Sequence, residues 1–177
     1  RGQKVGDFVD AVLDGKPHLT SLRVGVISQA AANRIARQTG TPTGGAVEVV
    51  IADSVVHANK RHPDLARQDW EQLPEVTNNF DEVALGRDTP KMGTARIVMR
   101  KNLPDGGGYG VVYDYAAGGG KGRKKLNLVT FFRGSEKSLN AWWEKNEGAN
   151  PAAVLNSPEP VSSTRDSVSA PSAAIVP

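Results

Sequence analysis

Apolar residues recur mainly at helical spacing up to Asn79 and alternate with polar ones from Asp81 onward, with two short strands set among the helices. Phe8, Val9, Val12 and Leu13 predict a short helix over Val5–Leu13 that stops at Asp14-Gly15. Arg23–Ser28 alternates as a strand does. Ser28 or Gln29 then opens an Ala-rich helix to about Thr39, and Gly40 supplies its stop. After the loop at Thr41–Gly45, the run Val47–Ile51 reads as a buried strand. Asp53 or Ser54 can cap the next helix, which extends to Arg61. Pro63 disfavours helical geometry at His62, so that residue sits at or just past the helix end. Leu65–Leu73 and a short segment opened by Leu73-Pro74-Glu75 predict two further helices, closed at Asn78-Asn79.

From Asp81, four strands are predicted: Glu82–Leu85, Ala95–Lys101, Gly110–Tyr115 and Lys124–Arg133. Glycine-rich segments part the last three, at Leu103–Gly108 and Ala117–Gly122, so the natural arrangement is an antiparallel meander. Ser135 can cap a last helix, Glu136–Lys145, on which Leu139, Trp142 and Trp143 form a packing stripe. From Gly148 to Pro177 the chain turns to Pro, Ser, Ala and Val, the composition of a linker or disordered tail. The expected fold is α+β, with N-terminal helices on a four-stranded antiparallel meander and a C-terminal helix. It divides into an N-terminal extension over 1–46, a domain over 47–147 and a tail over 148–177.

Composition narrows the chemistry. A chain of 177 residues can bury one core of about 100–150 residues. It has no cysteine, which excludes disulfides, thiolate zinc sites and cysteine nucleophiles. No apolar run spans a bilayer and no secretory signal pattern is present, so no membrane partner is expected. An initial Arg in place of Met is what an internal or processed piece of a longer chain would show. The net charge of +3 hints only mildly at an anionic partner, but its distribution is uneven. Asp64–Pro90 holds seven acidic residues against Arg67 and Arg87, a net of −5, and Lys91–Lys137 has a net of +7. The two blocks could fold onto one another, or the basic one could face a polyanion.

Chemistry concentrates in Val55–His62. His57 and Arg61 stand at i, i+4 on one helix face, with Lys60 at i+3 from His57. His62 would diverge from His57 by about 140° in an unbroken helix, so its direction depends on the break at Pro63. Two imidazoles beside guanidinium and ammonium groups suit phosphodiester cleavage: a base, an acid, and cations for the phosphorane charge. A solvated helix face would carry the same residues. No metal site or cofactor is expected, because the histidines lack i, i+4 spacing and there is no H-E-x-x-H. Gly118–Gly122 lacks P-loop spacing and reads as a hairpin turn. A second anion-binding element is expected at Thr130–Ser135, where Arg133 ends a strand and Ser135 opens a helix. Thr130 is expected to share a strand face with Leu126, Leu128 and Phe132. Arg96, Arg100, Tyr113 and Tyr115 are expected on one basic, aromatic sheet face. With Lys125, Lys60 and Arg133 they are the expected RNA and phosphate contacts.

The order of these segments carries a resemblance. An apolar strand leads into a helix bearing H-A-N-K-R-H-P, then L-P-E-V-T-N-N-F-D-E-V, a meander, and T-F-F-R-G-S before a helix. Over Val47–Lys145 this resembles the phage-associated members of the barnase/EndoU/colicin/RelE-like nuclease superfamily, including C-terminal domains of phage head-morphogenesis and polyvalent proteins. The resemblance implies an α+β fold and metal-independent RNA cleavage to a 2′,3′-cyclic phosphate. It puts the catalytic roles on His57, Arg61 and His62, with Thr130 or Ser135 as a late hydroxyl. His57 is the preferred base, with the two histidine roles exchangeable. RNA is then the substrate, and an immunity protein or antitoxin is a further expected partner if the domain is a toxin. Such an enzyme would act in a cytoplasm, delivered within a larger phage or toxin polypeptide. The alternative is a noncatalytic domain of a phage polyvalent protein that binds nucleic acid or protein.

Overall fold

The computed structural model describes residues 1–16, 19–87, 94–118 and 122–148, and the elements below are those of the described residues. The chain runs α1 (Gly2–Leu13), β1 (Ser21–Val26), α2 (Gln29–Thr39), β2 (Val47–Ile51), α3 (Ala52–Arg61), α4 (Arg67–Glu71), α5 (Leu73–Asn78), β3 (Glu82–Leu85), β4 (Thr94–Asn102), β5 (Gly108–Ala116), β6 (Lys125–Gly134) and α6 (Glu136–Asn146). Local signals act where expected at several ends. The Ser28 and Ser135 hydroxyls accept the amides of Ala31 and Ser138, and Gly40 closes α2 in the left-handed conformation at φ 75°. The Gly118–Gly122 turn lies partly, and the tail beyond Gly148 wholly, outside the described residues.

The sheet corrects the expected four-stranded meander. It has six strands in the order β1-β2-β6-β5-β4-β3. The β3–β6 part is antiparallel, but β2 joins β6 in parallel and β1 pairs antiparallel with β2. The reason is burial. β2 is apolar on both faces apart from Glu48, and such a strand is stable inside a sheet rather than beside one. Residues 1–46 lend Val5, Phe8, Val9, Leu22, Val24 and Ile35 to the same core as Leu126 and Phe131. Arg67 clamps α1 to α4 through Asp7, Asp10 and Glu71. On the opposite sheet face α6 packs through Leu139, which is fully buried.

The β5–β6 register holds the feature that positions everything downstream. Val112 pairs with Thr130 but Tyr113 pairs with Leu128, which leaves Val129 as an extra residue on β6. Such a bulge shifts the alternation by one and so exchanges the faces of every later side chain. Leu126 and Leu128 point into the main core, and beyond the bulge Phe131 takes that role. Thr130 and Phe132 turn to the other face. Thr130 therefore does not share a face with Leu126 and Leu128, contrary to the unbroken alternation read from sequence.

The core also buries a carboxyl group. Glu48 accepts a short hydrogen bond from the Tyr113 hydroxyl, with the Thr77 hydroxyl 2.9 Å from the same oxygen. Its Oε1 has no hydrogen-bond partner among the described residues. Burial pushes its pKa up to about 7 from 4.5, only partly opposed by those hydrogen bonds and the charge of Arg1. The folded state therefore retains a proton that the unfolded chain loses between pH 4.5 and about 7. Stability falls as pH rises through that window, by about 3 kcal/mol in full.

Two outcomes follow from the fold. Urea denaturation at pH 5 and pH 8 should show the wild type losing stability at the higher pH, and Glu48→Gln should abolish most of that difference; an equal pH slope in both proteins would contradict the role given to Glu48. Deleting Val129 should exchange Phe131 and Phe132 across the sheet and cost about 3–5 kcal/mol, the range for removing a buried aromatic from a core. A loss below about 1 kcal/mol would mean that the bulge does not direct β6.

Candidate functional site

The site begins at the β6 edge. β2 pairs with β6 only from Val47–Val49 to Lys125–Asn127, after which the chain turns into α3. α3 then lies along the part of β6 that β2 leaves open, and the Ser54 hydroxyl donates to the Leu128 carbonyl at 2.6 Å. Ser54 is thus an edge-strand partner rather than the side-chain cap its position suggested; α3 has no side-chain cap bond. Val55 and Ala58 are buried in the core, while His57 and Arg61 are exposed. They open onto a cleft of about 490 Å³ on the sheet face that α6 covers.

The helix ends at His62, where φ −133° and ψ 72° leave helical space and the amide still donates to Ala58 at 2.8 Å. That break returns the imidazole to the cleft instead of carrying it round the helix. Its ring stacks on Phe132 with centroids 5.1 Å apart and planes 23° apart. Phe132 in turn meets Trp142 edge-on at 4.9 Å. Each such contact is worth about 0.5–1.5 kcal/mol, enough to hold His62 in place. Partial burial lowers the His62 pKa below 6.5, Arg61 lowers it further, Asp64 raises it, and His57 again lowers it.

Thr130 completes the convergence, aimed into the same cleft by the Val129 bulge. Thus His57, His62, Arg61 and Thr130 line one cavity, with Val98 and Val112 on its sheet floor. Arg96 lines it too, but its guanidinium is engaged by Asp114 at 2.9 and 3.1 Å. Arg87, not anticipated from sequence, is tied to the carbonyls of Glu144 and Glu147 at the end of α6, where a cation offsets the helix dipole. Arg61 and Lys145 form no ion pair with any described residue. None of the described lining residues is a carboxylate. Among the described residues, no three His, Asp or Glu side chains are grouped to hold a metal ion.

Other expected members lie elsewhere. Ser135 and Arg133 line a separate groove with Asp64, Asp69, Asp105 and Glu136. There Arg133 approaches Asp69 at 3.4 Å and Asp105 at 3.6 Å, and the Ser135 hydroxyl caps α6. Those carboxylates repel a phosphate, so the expected second anion site is divided: Thr130 joins the cleft and Ser135 does not. Tyr113 and Tyr115 are buried on the core face, their hydroxyls bonded to Glu48 and to the Pro42 carbonyl, and cannot stack on a base. The expected basic and aromatic face does not exist, because Arg96 and Arg100 lie opposite the tyrosines. The register pairs Arg96 with Asp114 and Arg100 with Gly110, which puts both arginines on the Val112 side. Arg100 is itself buried and bonded to Asn102. Lys60 is exposed on α3 outside the cleft, and Lys125 sits where β2 meets β6.

The α6 residues of the cleft, Trp142, Lys145 and Asn146, were missed by the sequence reading. Only Leu139 of the expected packing stripe is fully buried, and Trp142 and Trp143 are half-buried. The available signal was the i, i+3, i+4 spacing, which puts these three on one helix face.

No curated protein and no solved structure matches the chain. A family model does match, over residues 25–141, which takes in the end of β1, the rest of the sheet, α3 and the start of α6. The chain belongs to that family, the phage-Barnase-EndoU-ColicinE5/D-RelE like nuclease 3 family, and the cleft is the candidate active site of a nuclease domain.

Proposed function

We propose that the domain is a metal-independent endoribonuclease acting through the α3–β6 cleft. The observation that carries this reading is the convergence of two imidazoles, a guanidinium and a hydroxyl in one cavity, with no carboxylate among its described lining residues. Divalent ions at phosphoryl-transfer sites are held through anionic oxygens, and this donor set is cationic and neutral instead. A set of that kind suits a substrate that brings its own nucleophile, as RNA does with its 2′-hydroxyl.

In the proposed reaction neutral His62 takes the 2′-hydroxyl proton, and the 2′-oxygen attacks the adjacent phosphorus. The bond to the 5′-oxygen breaks as His57 donates a proton to that oxygen. The products are a 2′,3′-cyclic phosphate and a free 5′-hydroxyl. Arg61 and the Thr130 hydroxyl face the charge that develops on the phosphorane oxygens. This assignment reverses the preference for His57 as base, because burial and Arg61 keep His62 neutral to lower pH. Delivery within a phage or toxin polypeptide, and an immunity protein that covers the cleft, are compatible with this chemistry.

Purified protein should cleave RNA in excess EDTA and leave 2′,3′-cyclic ends, while His57→Ala and His62→Ala should each lose at least about 100-fold in kcat/KM. Cleavage that needs an added divalent ion, or that survives both substitutions, would overturn the proposal; RNA binding without cleavage would favour the noncatalytic alternative. The acid limb of the pH–rate profile should have its inflection below 6.5, since His62 must be neutral to accept a proton. Arg61→Gln removes a charge that opposes imidazolium and should move that inflection upward, whatever it does to phosphate binding. An inflection that stays in place or falls would remove His62 from the role of base.

A further inference from the structure

The α3 and β6 groups account for one wall of the cleft, and α6 supplies the other with a different chemistry. Trp142, Lys145 and Asn146 lie at i, i+3 and i+4, so one face of α6 presents an aromatic ring, an ammonium group and a carboxamide to the cavity. Leu139, one turn earlier, is buried and anchors that face to the sheet. The Trp142 ring rests edge-on against Phe132, which in turn stacks on His62. A Cβ built at Gly110 would come within 2.9 Å of that ring, so only glycine lets it settle so close to the sheet. Despite this packing Trp142 is only half-buried, and it lines the cleft. The Asn146 Nδ2 donates to the Trp142 carbonyl at 2.8 Å, which fixes the amide while its oxygen has no described partner.

A rigid indole beside a positioned amide and an ammonium with no ion pair among the described residues is what an unstacked nucleotide needs: a π-face, an edge contact and a counter-charge. We infer that α6 forms a nucleobase subsite for single-stranded RNA, in which a base next to the scissile phosphate stacks on Trp142, its edge meets Asn146 and the backbone phosphate meets Lys145. The inference rests on the ribonuclease reading for the identity of the strand. It assigns α6 a task that reading does not contain, the selection of unpaired substrate.

The test uses the full chain and a 2′-O-methyl oligoribonucleotide, which cannot be cleaved by 2′-oxygen attack, beside the same oligomer with abasic positions. Trp142→Ala should weaken the intact oligomer about ten-fold or more and leave the abasic one unchanged. Because Trp142 also packs on Phe132, Trp142→Phe provides a fold-preserving second variant. It should retain much of the affinity but lose the quenching of tryptophan emission by the intact oligomer, which Trp143→Phe should keep. Equal losses for intact and abasic oligomers, or quenching undiminished in Trp142→Phe, would overturn the subsite even if RNA is cleaved normally. Trp142-dependent binding by a protein that cleaves no RNA would uphold the subsite and overturn the nuclease reading instead.

Discussion

The last strand of the sheet has to face a closed core on one side and an open cleft on the other, and one extra residue divides these duties along its length. Before Val129 the strand sends Leu126 and Leu128 into the core, and after it Phe131 takes over. The same shift turns Thr130 and Phe132 outward, and Phe132 becomes the surface on which His62 stacks. A residue count, rather than any special side chain, therefore couples burial to the geometry of the cleft. The bulge also determines where Arg133 goes. With Phe131 committed to the core, Arg133 falls on the Tyr109 side, beside Asp69, and is lost to the cleft.

Charge is distributed by the same logic. The acidic and basic blocks of the sequence meet where Asp69 pairs with Arg133, but the basic block is also neutralised from within: Asp105 approaches Arg133, and Asp114 holds Arg96. Arg87 is spent on the last carbonyls of α6. Two cations on opposite walls, Arg61 and Lys145, form no ion pair with a described residue and face the cavity. The cleft is thus more selective in its electrostatics than the net charge of the segment suggests. A phosphate on the Arg61 wall and a nucleotide along α6 would share one cavity without competing for one cation.

Much of the element order was legible, because it rests on local chemistry. Ser28, Gly40, Pro63 and Ser135 act within a turn or two of themselves, and each marks a boundary close to where the structure has it. The pairing of His57 with Arg61 was legible for the same reason, since helical spacing is a local property. What misled was alternation carried too far. Reading β4 and β5 separately put Arg96 and Tyr113 on one face, although the register between the strands sets them on opposite faces. Reading β6 as unbroken put Thr130 in line with Leu128. The tryptophans of α6 looked like a packing stripe, because aromatic spacing on a helix does not reveal whether the far side of the groove is filled.

By itself, then, the sequence determined the helices and strands, the break at Pro63 and the concentration of imidazole and cationic side chains in His57–His62. All of these follow from backbone preferences and from contacts within about one helical turn. Tertiary structure alone decided that β1 and β2 extend the sheet, that Thr130 rather than Ser135 shares the cleft, and that Trp142, Lys145 and Asn146 wall it. It also decided that His62, whose direction the spacing left open, is stacked on Phe132 in the cleft and stripped of part of its solvent. Those outcomes depend on strand register and on which surfaces face one another across the sheet. Neither is encoded by the spacing of residues within any one element.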